Sequence, residues 1–386
     1  MKPARRLQAL PVYPFARWGQ EVAAAAHSGL DVIRLDIGNP DMPPPSEVVA
    51  ALCQSAQAPD HHGYSGYRGI PELRRAVVDY YAWRFEVVLD PETQVVPLMG
   101  SKEGIVLLAM AFLNPGDLAL VPDPGYAPYT MGAALAGAGV YTFPLLEERG
   151  FLPDLAAIPD AVAERATLLW LNYPNNPTGA TADLAFLEQA VRFAERHDLL
   201  LCYDAPYCEV SYDGYAAPSV LQIPGAAEVA VEFNSLSKTF NMAGWRLGMA
   251  VGNANALAAL ARVQSNLDSG IFRPVQEAAA HAFAMPQAWL AARNQAYRER
   301  LTTLAAGLEA AGLAAQVPQA TFYLWVKLPA GWEAEPFALT LLKETGVAVA
   351  PGSFFGAAGE GYVRLAATAP EARIAEGMAR LRAFMA

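Results

Sequence analysis

The chain has 386 residues, 54% hydrophobic and 17% charged, which excludes a disordered chain and supplies enough apolar side chains for two domains. Lys and Arg number 27 against 38 Asp and Glu, a formal net charge of −11. That balance argues against a nucleic-acid partner, though not against a local basic pocket for a small anion.

In chain order, the first residues, Met1-Lys2-Pro3-Ala4-Arg5-Arg6, lead into no apolar signal-peptide core. Residues 1–40 read as an arm that packs with a C-terminal domain, and Pro43-Pro44-Pro45 marks an extended lead-in to a large domain over 41–285. A strand is predicted at 95–99, then Gly100-Ser101, then a helix over 102–113. Strands follow at 118–121, 139–143 and 168–172, the last running into Tyr173-Pro174-Asn175-Asn176-Pro177-Thr178-Gly179. A helix over 182–196 shows Leu184, Leu187, Val191 and Ala194 on one face. Strands at 199–203, 229–234 and 247–251 complete this part. These runs are apolar throughout rather than alternating, as strands covered on both faces are. Interleaved with helical patterns, they imply a mostly parallel α/β sheet flanked by helices, with polar residues gathered at one strand edge.

The pattern changes near Pro286. A long helix over 287–312, strands at 321–328, 347–350 and 362–367, and helices over 336–345 and 371–384 imply a smaller α+β domain over 286–386. No apolar run reaches the roughly 18 residues needed to span a bilayer, so no membrane partner is expected. Cys53, Cys202 and Cys208 are too few for a disulfide framework, and the five histidines show no metal-ligand spacing. The expectation is a soluble, cytoplasmic protein without a metal.

The most informative segment is Asn234-Ser235-Leu236-Ser237-Lys238-Thr239-Phe240, with Arg246 eight positions beyond the lysine. A lysine in an apolar enclosed site has a lowered pKa and becomes an amine nucleophile. Ser235, Ser237 and Arg246 suit a phosphate. On spacing alone a surface loop fits equally well. The segment resembles the S-x-S-K-x-[FY]-x-x-x-G-x-R signature of class I/II pyridoxal-phosphate (PLP) aminotransferases, the fold type I group. The resemblance implies that Lys238 forms the internal aldimine with PLP and later shuttles a proton.

Asp204 ends the strand 199–203, where a lone aspartate would as readily be solvated. In Tyr203-Asp204-Ala205-Pro206-Tyr207 it is similar to the family's D-x-x-Y. The resemblance gives Asp204 the pyridine nitrogen, and Tyr207 and Asn176 the cofactor's 3′-oxygen. It makes Ser101 and the Lys102 amide phosphate donors at a helix N-terminus, and Tyr126 the aromatic stacked on the ring. It assigns the substrate α-carboxylate to Arg364, with the Gly38 amide opposite and Asn176 beside it. It also has Tyr64 reach the phosphate of a neighbouring subunit, which implies a homodimer with shared sites. An internal salt bridge remains the other reading of Arg364.

A finer likeness lies in 100–105, 113–117, 145–153 and 265–270, which look like bacterial LL-diaminopimelate aminotransferases. The resemblance implies a transferase of amino-acid metabolism. It would move an amino group from LL-diaminopimelate or an acidic amino acid such as aspartate to a 2-oxo acid, most simply 2-oxoglutarate. Lys102 could reach a distal substrate carboxylate, and Tyr13 and Phe15 could form an apolar lid. A PLP-dependent C–S β-lyase of the same fold would share every cofactor residue and is the alternative.

Overall fold

The computed structural model describes all residues except 1, 4–6, 8, 9, 11 and 286. A helix at Pro14–His27 leads to one short strand, β1 (Ile33–Arg34), before the main sheet begins. That sheet has seven strands: β2 (Val95–Leu98), β3 (Leu118–Asp123), β4 (Gly139–Pro144), β5 (Ala166–Asn172), β6 (Leu200–Asp204), β7 (Ala230–Ser235) and β8 (Gly248–Gly252). Their spatial order is β2-β8-β7-β6-β5-β3-β4. β3 to β7 pair in parallel, and β8 runs antiparallel to both its neighbours. The sheet is thus mostly parallel, with one reversed strand.

The unbroken apolar strands have the two-sided burial that their composition implied. In β5, Leu169 and Leu171 enter the core under helices Pro71–Phe85, Leu184–Arg196 and Arg273–Phe283. Leu168 and Trp170 point the other way, into the core under Ser101–Phe112, Pro128–Ala136 and Ala254–Gln264. The period of two sends alternate residues to opposite faces. Each large side chain so buried contributes about 1.5–3 kcal/mol. Helix Leu184–Arg196 starts where the Asp183 carboxylate accepts the Phe186 amide at 2.8 Å. It buries Phe186, Leu187, Ala190, Val191 and Ala194.

The remaining strands are β9 (Tyr323–Lys327), β10 (Val347–Ala348), β11 (Ala350–Pro351) and β12 (Tyr362–Ala366). They form a small antiparallel sheet, β11-β12-β9, and a separate parallel pair, β1 with β10. Trp18, Val22, Ile33 and Leu35 share a core with Leu301, Leu304, Phe337 and Leu365.

The structure corrects one predicted element. The run 347–350 is not one strand but two, β10 and β11, which belong to different sheets. All four residues are fully buried and apolar, so nothing in their pattern marks the break. The helices Ser46–Ala56, Pro71–Phe85, Pro128–Ala136, Ala254–Gln264 and Arg273–Phe283 were not anticipated. Pro71–Phe85 buries residues around most of its circumference, Arg74 among them, and so shows little amphipathic contrast. Among the described residues no helix is long and apolar enough to cross a membrane.

Candidate active site

Parallel pairing puts the C-terminal ends of adjacent strands side by side. Asn172 at the end of β5 is in register with Asp204 at the end of β6, and Ser235 ends β7 on the same edge. The Asn172 amide donates to the Asp204 carbonyl at 2.6 Å, and its oxygen accepts the Asn176 amide N–H at 2.8 Å. One strand-end side chain therefore fixes the loop that carries Asn176. Asn176 Oδ1 in turn accepts from Arg364 Nη1 at 2.6 Å, and Arg364 Nη2 donates to the Asp36 carbonyl at 2.8 Å. Arg364 stands over the Tyr323 ring at 4.1 Å and the Phe355 ring at 4.7 Å, with Nε unpartnered. Its hydrogen bonds go to neutral oxygens and to no carboxylate among the described residues, so the internal salt bridge is not formed.

Lys238 lies in the helical turn Leu236–Thr239, which Ser235 caps by accepting the Ser237 amide. Its Nζ donates to the Gly38 carbonyl at 2.6 Å. Burial first, then the positive charges of Arg364 and Arg246, push its pKa down to about 7. Gly38 passes so close to Tyr323 that a Cβ would sit 1.8 Å from its hydroxyl oxygen, which only glycine avoids. Tyr207 and Tyr323 share a hydroxyl–hydroxyl hydrogen bond of 2.9 Å.

Asp204 is buried, and desolvation raises its pKa to about 7 against the lowering pull of its hydrogen bond with Tyr129. Tyr129 donates to Oδ2, and its ring lies flat on Trp170 at 4.9 Å. Oδ1 is buried with no partner. Ser237 Oγ is likewise buried and unpartnered.

At the other end, Gly100 has a left-handed φ of 88° and leads into helix Ser101–Phe112. A Cβ on Gly100 would lie 2.2 Å from Arg246 Nη2, so glycine lets the guanidinium reach the helix N-terminus. Arg246 Nη1 donates to the Ala243 carbonyl at 2.8 Å. Lys102 places its Nζ 4.1 Å from the Tyr13 ring centre, and partial desolvation lowers its pKa, followed by the charge of Arg246.

These groups line one cavity of about 490 Å³. Among the described residues, four cationic side chains, Lys102, Lys238, Arg246 and Arg364, face a single carboxylate, Asp204. Every site residue read from the sequence lines it except Tyr64, whose side chain is 91% exposed on the surface. Tyr13 and Phe15 also line it. Three contributors were missed. Asn172 was visible as a polar residue ending an apolar strand. Tyr129 sits three residues after Tyr126, in the first turn of helix Pro128–Ala136. Tyr323 gave no local signal.

The donors fit one cofactor chemistry. The unpartnered Asp204 Oδ1 calls for a buried cationic N–H. Ser101, Ser237 and Arg246 beside a helix N-terminus call for a phosphate. A buried amine with a pKa near 7 calls for an aldehyde. PLP answers all three, and the site and sheet together define a fold type I PLP-dependent enzyme. The sequence model of aminotransferase class I and II matches residues 30–381. The chain belongs to this family and is a PLP-dependent aminotransferase. It is 48% identical over 382 residues to an LL-diaminopimelate aminotransferase of Moorella thermoacetica, covering 99% of this chain and 98% of that one. Substrate-bound BacF from Bacillus subtilis superimposes with a TM-score of 0.95 at 36% identity, over 100% of this chain and 98% of that one. A probable N-succinyldiaminopimelate aminotransferase from Thermus thermophilus has a TM-score of 0.90 at 38% identity, over 96% of this chain and 99% of that one.

Proposed function

We propose that this aminotransferase takes its amino group from a dicarboxylic amino acid, LL-diaminopimelate before aspartate, and passes it to 2-oxoglutarate. The observation that carries the reading is the charge of the cavity. With Arg246 assigned to the phosphate, Arg364 and Lys102 remain as two cations for two substrate carboxylates. The name of the Moorella relative supports the first substrate.

PLP, when bound, supplies an electron sink for charge developing at the substrate Cα. The chain's own groups do the rest. Asp204 Oδ1 is the acceptor for the ring N–H. Tyr207 and Asn176 would hold the cofactor's phenolic oxygen, and Tyr126 would cover its ring. Lys238 Nζ, poised near neutrality, takes the Cα proton. Ser101, the Lys102 amide, Ser235, Ser237 and Arg246 bind phosphate. Arg364 and the Gly38 amide orient the α-carboxylate. Tyr13 and Phe15 exclude water. In a homodimer, Tyr64 of each copy would complete the phosphate site of the other, and its exposed position supports this. We divide the chain into an arm (1–40), a cofactor domain (41–285) and a small domain (286–386). A cytoplasmic setting suits its three free cysteines.

The test is a half-reaction screen. Cofactor-loaded enzyme is mixed with single amino acids, and loss of the cofactor's visible absorbance is timed. LL-diaminopimelate should react fastest, with aspartate and glutamate behind it and alanine slowest. Equal rates for alanine would overturn the dicarboxylate reading. Pyruvate and ammonia released without any 2-oxo acid would identify a C–S β-lyase instead.

A further inference from the structure

Arg293 lies near the start of helix Gln287–Ala310 and is buried. Its Nη1 donates to the carbonyl of Lys238 at 2.6 Å and to that of Thr239 at 2.5 Å. Its Nη2 donates to the Glu209 carbonyl at 2.5 Å. Asn294 steadies the group: its Oδ1 accepts from Nε and Nη2 at 3.0 and 2.7 Å, and its Nδ2 donates to the same Glu209 carbonyl at 2.9 Å. No carboxylate among the described residues accepts a hydrogen bond from this guanidinium.

A buried cation without a counter-ion is expensive, and an apolar side chain would fill the same space. What the guanidinium adds is a fork of donors in fixed geometry. Its three carbonyl acceptors include those of Lys238 and Thr239, at the end of a helical turn too short to use them itself, where a cation is also favoured. They come from two loops. Lys238 and Thr239 follow β7, and Glu209 follows β6 two residues beyond Tyr207. One side chain thus pins together the main chain at the two positions that carry Lys238 and Tyr207.

We propose that Arg293 is a positioning residue for the amino-transfer reaction: it holds the Lys238 carbonyl against that of Glu209 and so fixes the reach of Lys238 Nζ relative to Tyr207 and Asp204. The proposal rests on Lys238 being the reacting amine. Arg293 is not among the residues lining the cavity, so it acts through the main chain that carries Lys238 and Tyr207. A misplacement of about 1 Å in a reacting group can cost on the order of 10²-fold in rate.

The experiment compares Arg293→Met, Arg293→Lys and Asn294→Ala with wild type in two measurements. The first is hydrogen exchange of the full-length, cofactor-free protein over 236–242, where the amides of Phe240 and Met242 are bonded to the Leu236 carbonyl. Exchange there should quicken by about tenfold in the Arg293 variants and less in Asn294→Ala, with β7 unchanged. The second is kinetics of the loaded enzyme. kcat should fall roughly 10- to 100-fold with KM nearly unchanged. The isotope effect from a Cα-deuterated substrate should grow, and Arg293→Lys should recover part of the loss. Should Arg293→Met not fold, the other two variants decide. Unchanged exchange overturns the clamp whatever Lys238 does. Faster exchange with unchanged kcat overturns the positioning role. If instead Lys238→Ala keeps turning over, the assignment of Lys238 has failed and not the clamp.

Discussion

Tyr129 donates a 2.7 Å hydrogen bond to one oxygen of Asp204 and leaves the other, buried and unpartnered, facing the cavity. The same bond opposes the desolvation that raises the carboxyl pKa. Tyr129→Phe should therefore keep the ring packing on Trp170 but make Asp204 harder to ionise. Loss of a hydrogen bond to a charged group is worth about 1.5–3 kcal/mol. The affinity for PLP should fall by about tenfold or more at pH 7.5, measured by equilibrium dialysis, with less loss of thermal stability than a core truncation. An unchanged affinity would show that Tyr129 does not tune this carboxylate.

Burial of Asp204 predicts a pH-dependent penalty in the cofactor-free protein. Its folded pKa, about 7, lies above the ordinary value of 3.8. Between these values the folded state binds the extra proton, so stability falls as pH rises. Below pH 3.8 the penalty is absent, and above pH 7 it is complete. Asp204→Asn should raise the apo-protein Tm near pH 8 and leave it unchanged near pH 3.5, with the gap opening across pH 4–7. Lys238 has the opposite sign. Its pKa drops from 10.5 to about 7, so its penalty is complete below pH 7 and fades toward pH 10.5. Lys238→Met should stabilise the apo protein at pH 6.5 and not at pH 10.5. Parallel melting curves across pH would refute both.

Arg364 and Lys102 should separate by substrate. Arg364→Lys replaces a planar fork held by Asn176 and Asp36 with a point charge. kcat/KM should drop about 10- to 100-fold for every amino acid, in line with loss of a charge-assisted contact of about 1.5–3 kcal/mol. Lys102→Met should cost dicarboxylic substrates alone and leave alanine unaffected. A uniform loss in Lys102→Met would place that lysine at the phosphate only.

Gly100→Ala combines a strained φ of 88° with a Cβ placed 2.2 Å from Arg246 Nη2. The guanidinium must withdraw from the helix N-terminus. PLP affinity should fall at least about tenfold, since a charge-assisted contact to the phosphate is lost. Lys238 would still give the bound cofactor its visible absorbance at saturating PLP. Titration of that absorbance is the measurement, and full affinity in the variant would remove Arg246 from the phosphate site.

The sequence by itself determined the class of sheet and most of the cavity. Its unbroken apolar runs required cover on both faces, and Asp204 at the end of one run marked the edge where Asn172 stands in register with it and Ser235 ends β7. Arg364 was legible as a charge amid apolar residues that needs an anionic partner, whereas Lys238 and Arg246 were legible through the motif they share, since their spacing alone fits a surface loop equally well. Only the tertiary structure decided the reversal of β8, the division of 347–350 between two sheets, and the contacts joining Tyr129 to Asp204, Tyr207 to Tyr323 and Arg293 to Lys238. The reason is physical. Local pattern reports which faces are buried, because burial repeats with the period of the backbone. It carries no information about which distant segment supplies the covering face, and the hydrogen bonds that tune this site cross between such segments.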